Sequence, residues 1–98
     1  MLYRTEIQQQ GKIIFSKTLS GAQPGQVLRK SLELLHSVIF FAHAYILNEL
    51  GELWQYSLKK IGGRVQVQLT HHSRRQFTDS QIITLLSGNK SISGVLGL

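Results

Sequence analysis

Histidine is the side chain through which this protein could hold a metal ion or move a proton, because the chain has no cysteine and so no thiolate ligand or thiol nucleophile. Its four histidines are not spaced as a chelate. His36 and His43 lie seven residues apart, which on a helix puts them on one face but separates them by about 10 Å of rise, too far to share one ion. The positions four after them are Phe40 and Leu47, and the carboxylate near His36 is Glu33. His71 and His72 are adjacent, so on a strand they point to opposite faces. All four read as histidines satisfied by ordinary hydrogen bonds, and neither a metal site nor a cofactor is expected.

The acids offer no more. Glu6, Glu33, Glu49, Glu52 and Asp79 are scattered singly, so no carboxylate pair is placed for acid–base work. No serine sits in a nucleophile elbow. Gly11-Lys12 in GKIIFSKT lacks the spaced glycine before it and the helix after it that a phosphate loop needs. An enzyme is not expected.

Basic residues carry the strongest signal. The chain holds 11 Lys+Arg against 5 Asp+Glu, a formal net charge of +6, which biases it toward polyanions. From Leu53 to Thr78 there is no acid, while Lys59, Lys60, Arg64, Arg74 and Arg75 fall in that window together with His71 and His72. These five Lys and Arg side chains are the candidate phosphate contacts. The competing reading is a solvated face on a basic protein.

The elements that would present them follow from turn signals. Gly62-Gly63 reads as a two-residue hairpin turn, which sets Ile61 opposite Arg64, Leu58 opposite Val67, Tyr56 opposite Leu69 and Trp54 opposite His71. One side then collects Trp54, Tyr56, Leu58, Val65, Val67 and Leu69. The other collects Gln55, Ser57, Lys59, Arg64, Gln66, Gln68 and Thr70, a polar face suited to phosphates and base edges but without an aromatic ring for stacking. Buried on that register, Val67→Asp is expected to unfold the chain and Gln66→Asp to be nearly neutral.

A first hairpin is expected around a three-residue loop, Gln10-Gly11-Lys12, gathering Tyr3, Ile7, Ile13 and Phe15 on one face and Arg4, Glu6, Gln8, Ile14 and Ser16 on the other. Between the hairpins no proline or glycine interrupts residues 26–50, which suits one long helix from Pro24 to Gly51. Its main stripe is Leu28, Leu32, Leu35, Ile39, Ala42, Ile46 and Leu50. A second stripe to one side includes Leu34, Val38, Phe41 and Tyr45, which leaves more apolar surface than one small chain can cover. Those four residues are therefore the expected interface of a homodimer. Thr78 or Asp79 caps a short C-terminal helix through Leu86, stopped by Gly88.

Phe77 to Leu98, with its Gly88-Asn89-Lys90 turn, resembles the opening two helices of a helix-turn-helix region. No recognition helix follows in the sequence, so the resemblance implies no reading of DNA.

Ninety-eight residues, 42% of them hydrophobic and 16% charged, are enough for one folded domain spanning 1–98 and too apolar for disorder. The longest apolar run, Leu34 to Leu47, is short of the roughly 20 residues that cross a bilayer. MLYRTEIQQQ lacks the apolar core of an export signal, so a cytoplasmic location is expected. The expected fold is α+β in the order ββαββα: two antiparallel hairpins forming a four-stranded sheet, one long helix on one face and a short C-terminal helix. The expected function is a small nucleic-acid-binding module acting as a dimer, on DNA or RNA. The alternative is a homo-oligomeric assembly subunit with no nucleic-acid role, and no small-molecule substrate is expected in either case.

Overall fold

The computed structural model describes residues 1–74 and 77–97. Gly62 and Gly63 both take positive φ, 58° and 81°, as a type I′ turn requires. This turn joins β4 (Leu53–Ile61) to β5 (Arg64–Ser73) in the expected register, with Ile61 opposite Arg64, Leu58 opposite Val67 and Tyr56 opposite Leu69. Past Tyr56 a bulge admits Thr70 as an extra residue of β5, so Trp54 faces His72 and not His71. The Trp54 and His72 rings stack with centroids 4.8 Å apart.

The first hairpin pairs β1 (Leu2–Gln9) with β2 (Lys12–Ser20). It turns on two residues, Gln10 and Gly11, both at positive φ, and not on the expected three. A bulge between the Ile7–Phe15 and Gln8–Ile13 pairs takes up the difference. As a result Ile14 packs on the core and Ile13 is exposed, the reverse of the expected order.

The long helix is absent. Helix α1 spans Pro24–Leu34 and stops at Leu35, whose ψ of 130° is extended, and strand β3 (Phe41–Asn48) follows a loop. The apolar excess of this segment belongs to a strand buried on both faces, a pattern that at helical steps looks apolar almost all round. Ala42, Ala44 and Ile46 face α1, while Tyr45 and Leu47 face the opposite side of the sheet. The helix ends without glycine or proline. Gln9 instead holds the loop, its side chain donating to the Val38 carbonyl and accepting from the Phe40 amide.

With β3 in place the sheet has five antiparallel strands, not four, in the order β2-β1-β3-β4-β5. Val27 and Leu28 of α1 cover one face over Tyr3, Ile7, Phe15, Tyr56 and Leu58. On the other face, α2 (Asp79–Leu86) and α3 (Ile92–Leu96) cover one end, where Phe77, Ile82, Leu85 and Ile92 pack on Tyr45, Leu47 and Leu53. A capping box between Thr78 and Gln81 starts α2. Burial pushes the Tyr45 phenol up, and the negative charge of Glu6 adds to this.

The residues of β1 expected to face water hold these helices. Arg4 and Glu6 are buried. The Glu6 carboxylate accepts from the Ile92 and Ser93 amides at 2.8 and 3.1 Å and from the Ser93 hydroxyl at 2.9 Å. Arg4 donates to the Leu85 carbonyl and the Ser16 hydroxyl. Burial lowers the Arg4 pKa, and Glu6 opposes that shift.

The expected dimer stripe is not one helix face. Leu34 ends α1, Val38 sits in the loop, and Phe41 and Tyr45 share a face of β3, with Tyr45 buried inside the single chain. Leu34, Val38 and Phe41 stay exposed, but a helix end, a loop and a strand carry them in place of one helix.

Val65, Val67 and Leu69 do face the α1 side, but they remain 37%, 45% and 49% exposed because α1 does not extend over the edge strand. Val67→Asp is therefore expected to cost the single chain about 1 kcal/mol or less, like Gln66→Asp, in urea denaturation. Measured on the monomer, a cost of several kcal/mol at Val67 alone would mean that another part of the same chain covers β5.

Candidate nucleic-acid interface

The pairing of β3 with β4 completes a surface that neither hairpin shows by itself. Phe41 lies opposite Lys59 and His43 opposite Ser57, while across β4 Lys59 lies opposite Gln66 and Ser57 opposite Gln68. Alternation puts Phe41, His43, Gln55, Ser57, Lys59, Arg64, Gln66, Gln68 and His71 on the face that carries α2 and α3. Those helices pack at the Tyr45, Leu47 and Leu53 end, so this half of the face is open.

Three groups form its centre. The Phe41 ring is 49% exposed, the Lys59 ammonium stands 6.0 Å from its centroid, and the His43 ring meets it edge to face at 5.1 Å. Lys59, Arg64, Gln66, Gln68 and His71 are exposed around them, and no carboxylate belongs to this set. Such a surface combines an apolar ring for a base, cations for phosphate and amides that can donate and accept at base edges.

Of the expected phosphate contacts, Lys59 and Arg64 share this face. Lys60, next along β4, points to the α1 side, opposite Val65. Arg74 is exposed just past the end of β5, and Arg75 lies outside the described residues. His36 and His43 do not share a helix face, since His36 is in the loop after α1 and His43 is on β3. Among the described residues no three His, Cys, Asp or Glu side chains are grouped to hold a metal ion. His72 contacts Glu52 at 3.4 Å on the α1 side of the sheet. No described helix is long and apolar enough to cross a membrane.

Phe41 and His43 are the residues that reading β3 as helix hid. Their signal was the alternation in Phe41-Ala42-His43-Ala44, large and small side chains at a period of two. No protein-family model matches the chain, and neither a curated protein nor a solved structure matches it.

Proposed function

We propose that the protein is a non-catalytic module that binds single-stranded nucleic acid on the open half of its sheet. The observation that carries this reading is Phe41, an exposed ring beside Lys59 and His43, with no carboxylate among the strand residues described on the open half of that face. A base freed from a duplex stacks on the ring, because every base has a π-face. Its flanking phosphates meet Lys59 and Arg64, and Gln66 and Gln68 reach its edges. The face gives a duplex no comparable advantage, since paired bases are not free to stack on it.

Fluorescence anisotropy with a labelled single strand, an RNA hairpin and a DNA duplex tests it at low and moderate salt. The single strand is expected to bind most tightly. Lys59→Ala is expected to lower the slope of log affinity against log salt by roughly 0.7, the share of one phosphate on a single strand. Absence of binding tighter than ~10⁻⁴ M to any of the three at moderate salt would remove the reading. The assembly alternative has its own observation in the open edge of β5.

A further inference from the structure

Strand β5 closes one side of the sheet, pairing with β4 on one edge and, among the described residues, with no strand on the other. The residues that aim their backbone outward can be named. Lys60 donates its amide to the Phe40 carbonyl at 2.9 Å, so its backbone is committed toward β3, and Val65 opposite it is not hydrogen-bonded to β4. The two-residue turn gives the same phase, because Ile61 and Arg64 flanking it form a hydrogen-bonded pair. The phase then alternates: Arg64, Gln66 and Gln68 bond to β4, while Val65, Val67 and Leu69 direct both N–H and C=O away from it. These three are also the half-exposed apolar side chains of the strand.

We infer that this edge pairs with the same edge of a second copy, antiparallel about a two-fold axis at Val67, to make one continuous ten-stranded sheet. The register follows from the limits of the strand. Regular pairing runs from Arg64, next to the turn, to Leu69, before the bulge at Thr70, so its outward-bonding residues are Val65, Val67 and Leu69, and Val67 is their midpoint. Maximum overlap thus sets Val67 against Val67 and Val65 against Leu69 of the second copy. All of these are outward-bonding residues, so each pair exchanges both of its backbone hydrogen bonds.

Side chains fit the same register. Apolar meets apolar on the α1 side, Gln66 meets Gln68 on the open face, and Arg64 meets Thr70, so no like charges stand opposite one another. A foreign strand would need its own match to this pattern, whereas a second copy carries it already. The opposite edge differs: β2 places Lys12 and Lys17 along its length, which discourages strand addition, while β5 has no charge from Val65 to Thr70. Because the axis runs perpendicular to the sheet, the dimer also joins the two open faces at Gln66 and Gln68. It does not depend on the nucleic-acid reading.

Sedimentation at micromolar concentrations is expected to give about twice the 11.1 kDa chain mass. Val67→Lys brings two ammonium groups together at the axis and is expected to weaken association by roughly tenfold or more. Its circular dichroism is expected to match the wild type, because Val67 is half exposed in the single chain. In this cysteine-free chain, Val67→Cys with a mild oxidant is expected to cross-link into a dimer, since paired Cα atoms about 5.5 Å apart suit a disulfide. Ile83→Cys, on an exposed apolar residue of α2, is expected to stay uncross-linked. A wild-type monomer without Val67→Cys cross-linking, or a dimer that Val67→Lys leaves intact, would overturn the inference.

Discussion

Glu6→Ala is expected to lower the free energy of unfolding by about 3–5 kcal/mol and to release α3 from the sheet. The carboxylate is fully buried and accepts three hydrogen bonds from Ile92 and Ser93, two of them from backbone amides at the start of α3. Removing it leaves those donors without an acceptor in an environment that water does not reach. It also strips the buried Arg4 of the negative charge that favours its ionised form. The helix cannot replace this anchor from within, because at five residues it has too few internal bonds to persist alone. Glu6→Gln, which keeps an acceptor oxygen, is expected to cost less. Urea denaturation gives the magnitude, and amide exchange at Ile92 to Val95 shows whether α3 opens first. An alanine variant within about 1 kcal/mol of the wild type would mean that α3 is held by its apolar contacts alone.

That anchor shows why part of the fold was hidden in the sequence. Arg4, Glu6 and Gln8 alternate with Tyr3, Thr5 and Ile7, and alternation normally separates water from core. Here both faces are covered, so the polar set meets helix termini that lie more than eighty residues away along the chain. The Gly62-Gly63 hairpin was legible because turn chemistry and alternation agree over a short span. Helix α2 was legible because Thr78 or Asp79 could cap its start and Gly88 stop it. The end of α1 was not: Leu35 to Phe40 contains no breaker, and the loop is held by Gln9, a distant residue. The same misreading hid Phe41, which joins Lys59 only through the β3–β4 pairing, while Lys59 and Arg64 were already placed together by the hairpin register.

Phe41→Ala is expected to reduce affinity for a single strand by about 10- to 100-fold, the loss that follows from removing the ring under one stacked base. The change removes no charge, so the salt slope is expected to stay the same, unlike in Lys59→Ala. Duplex binding, which rests on phosphates, is expected to change little. Phe41→Tyr is expected to restore the wild-type affinity because it keeps the ring. Phe41 is half exposed, so alanine there leaves the sheet folded, and thermal unfolding is expected to shift by a few degrees at most. Equal losses for single strand and duplex would assign Phe41 a structural role and take it out of the interface.

Amide chemical shifts during titration with a short single strand examine the open face most directly. The expected result is a continuous set of shifted amides on three strands, at Phe41 and His43, Gln55 to Lys59, and Arg64 to Gln68, with α1 and α2 unchanged. Shifts confined to the helices, or spread evenly over basic residues on both faces of the sheet, would contradict a nucleic-acid site centred on Phe41 and Lys59.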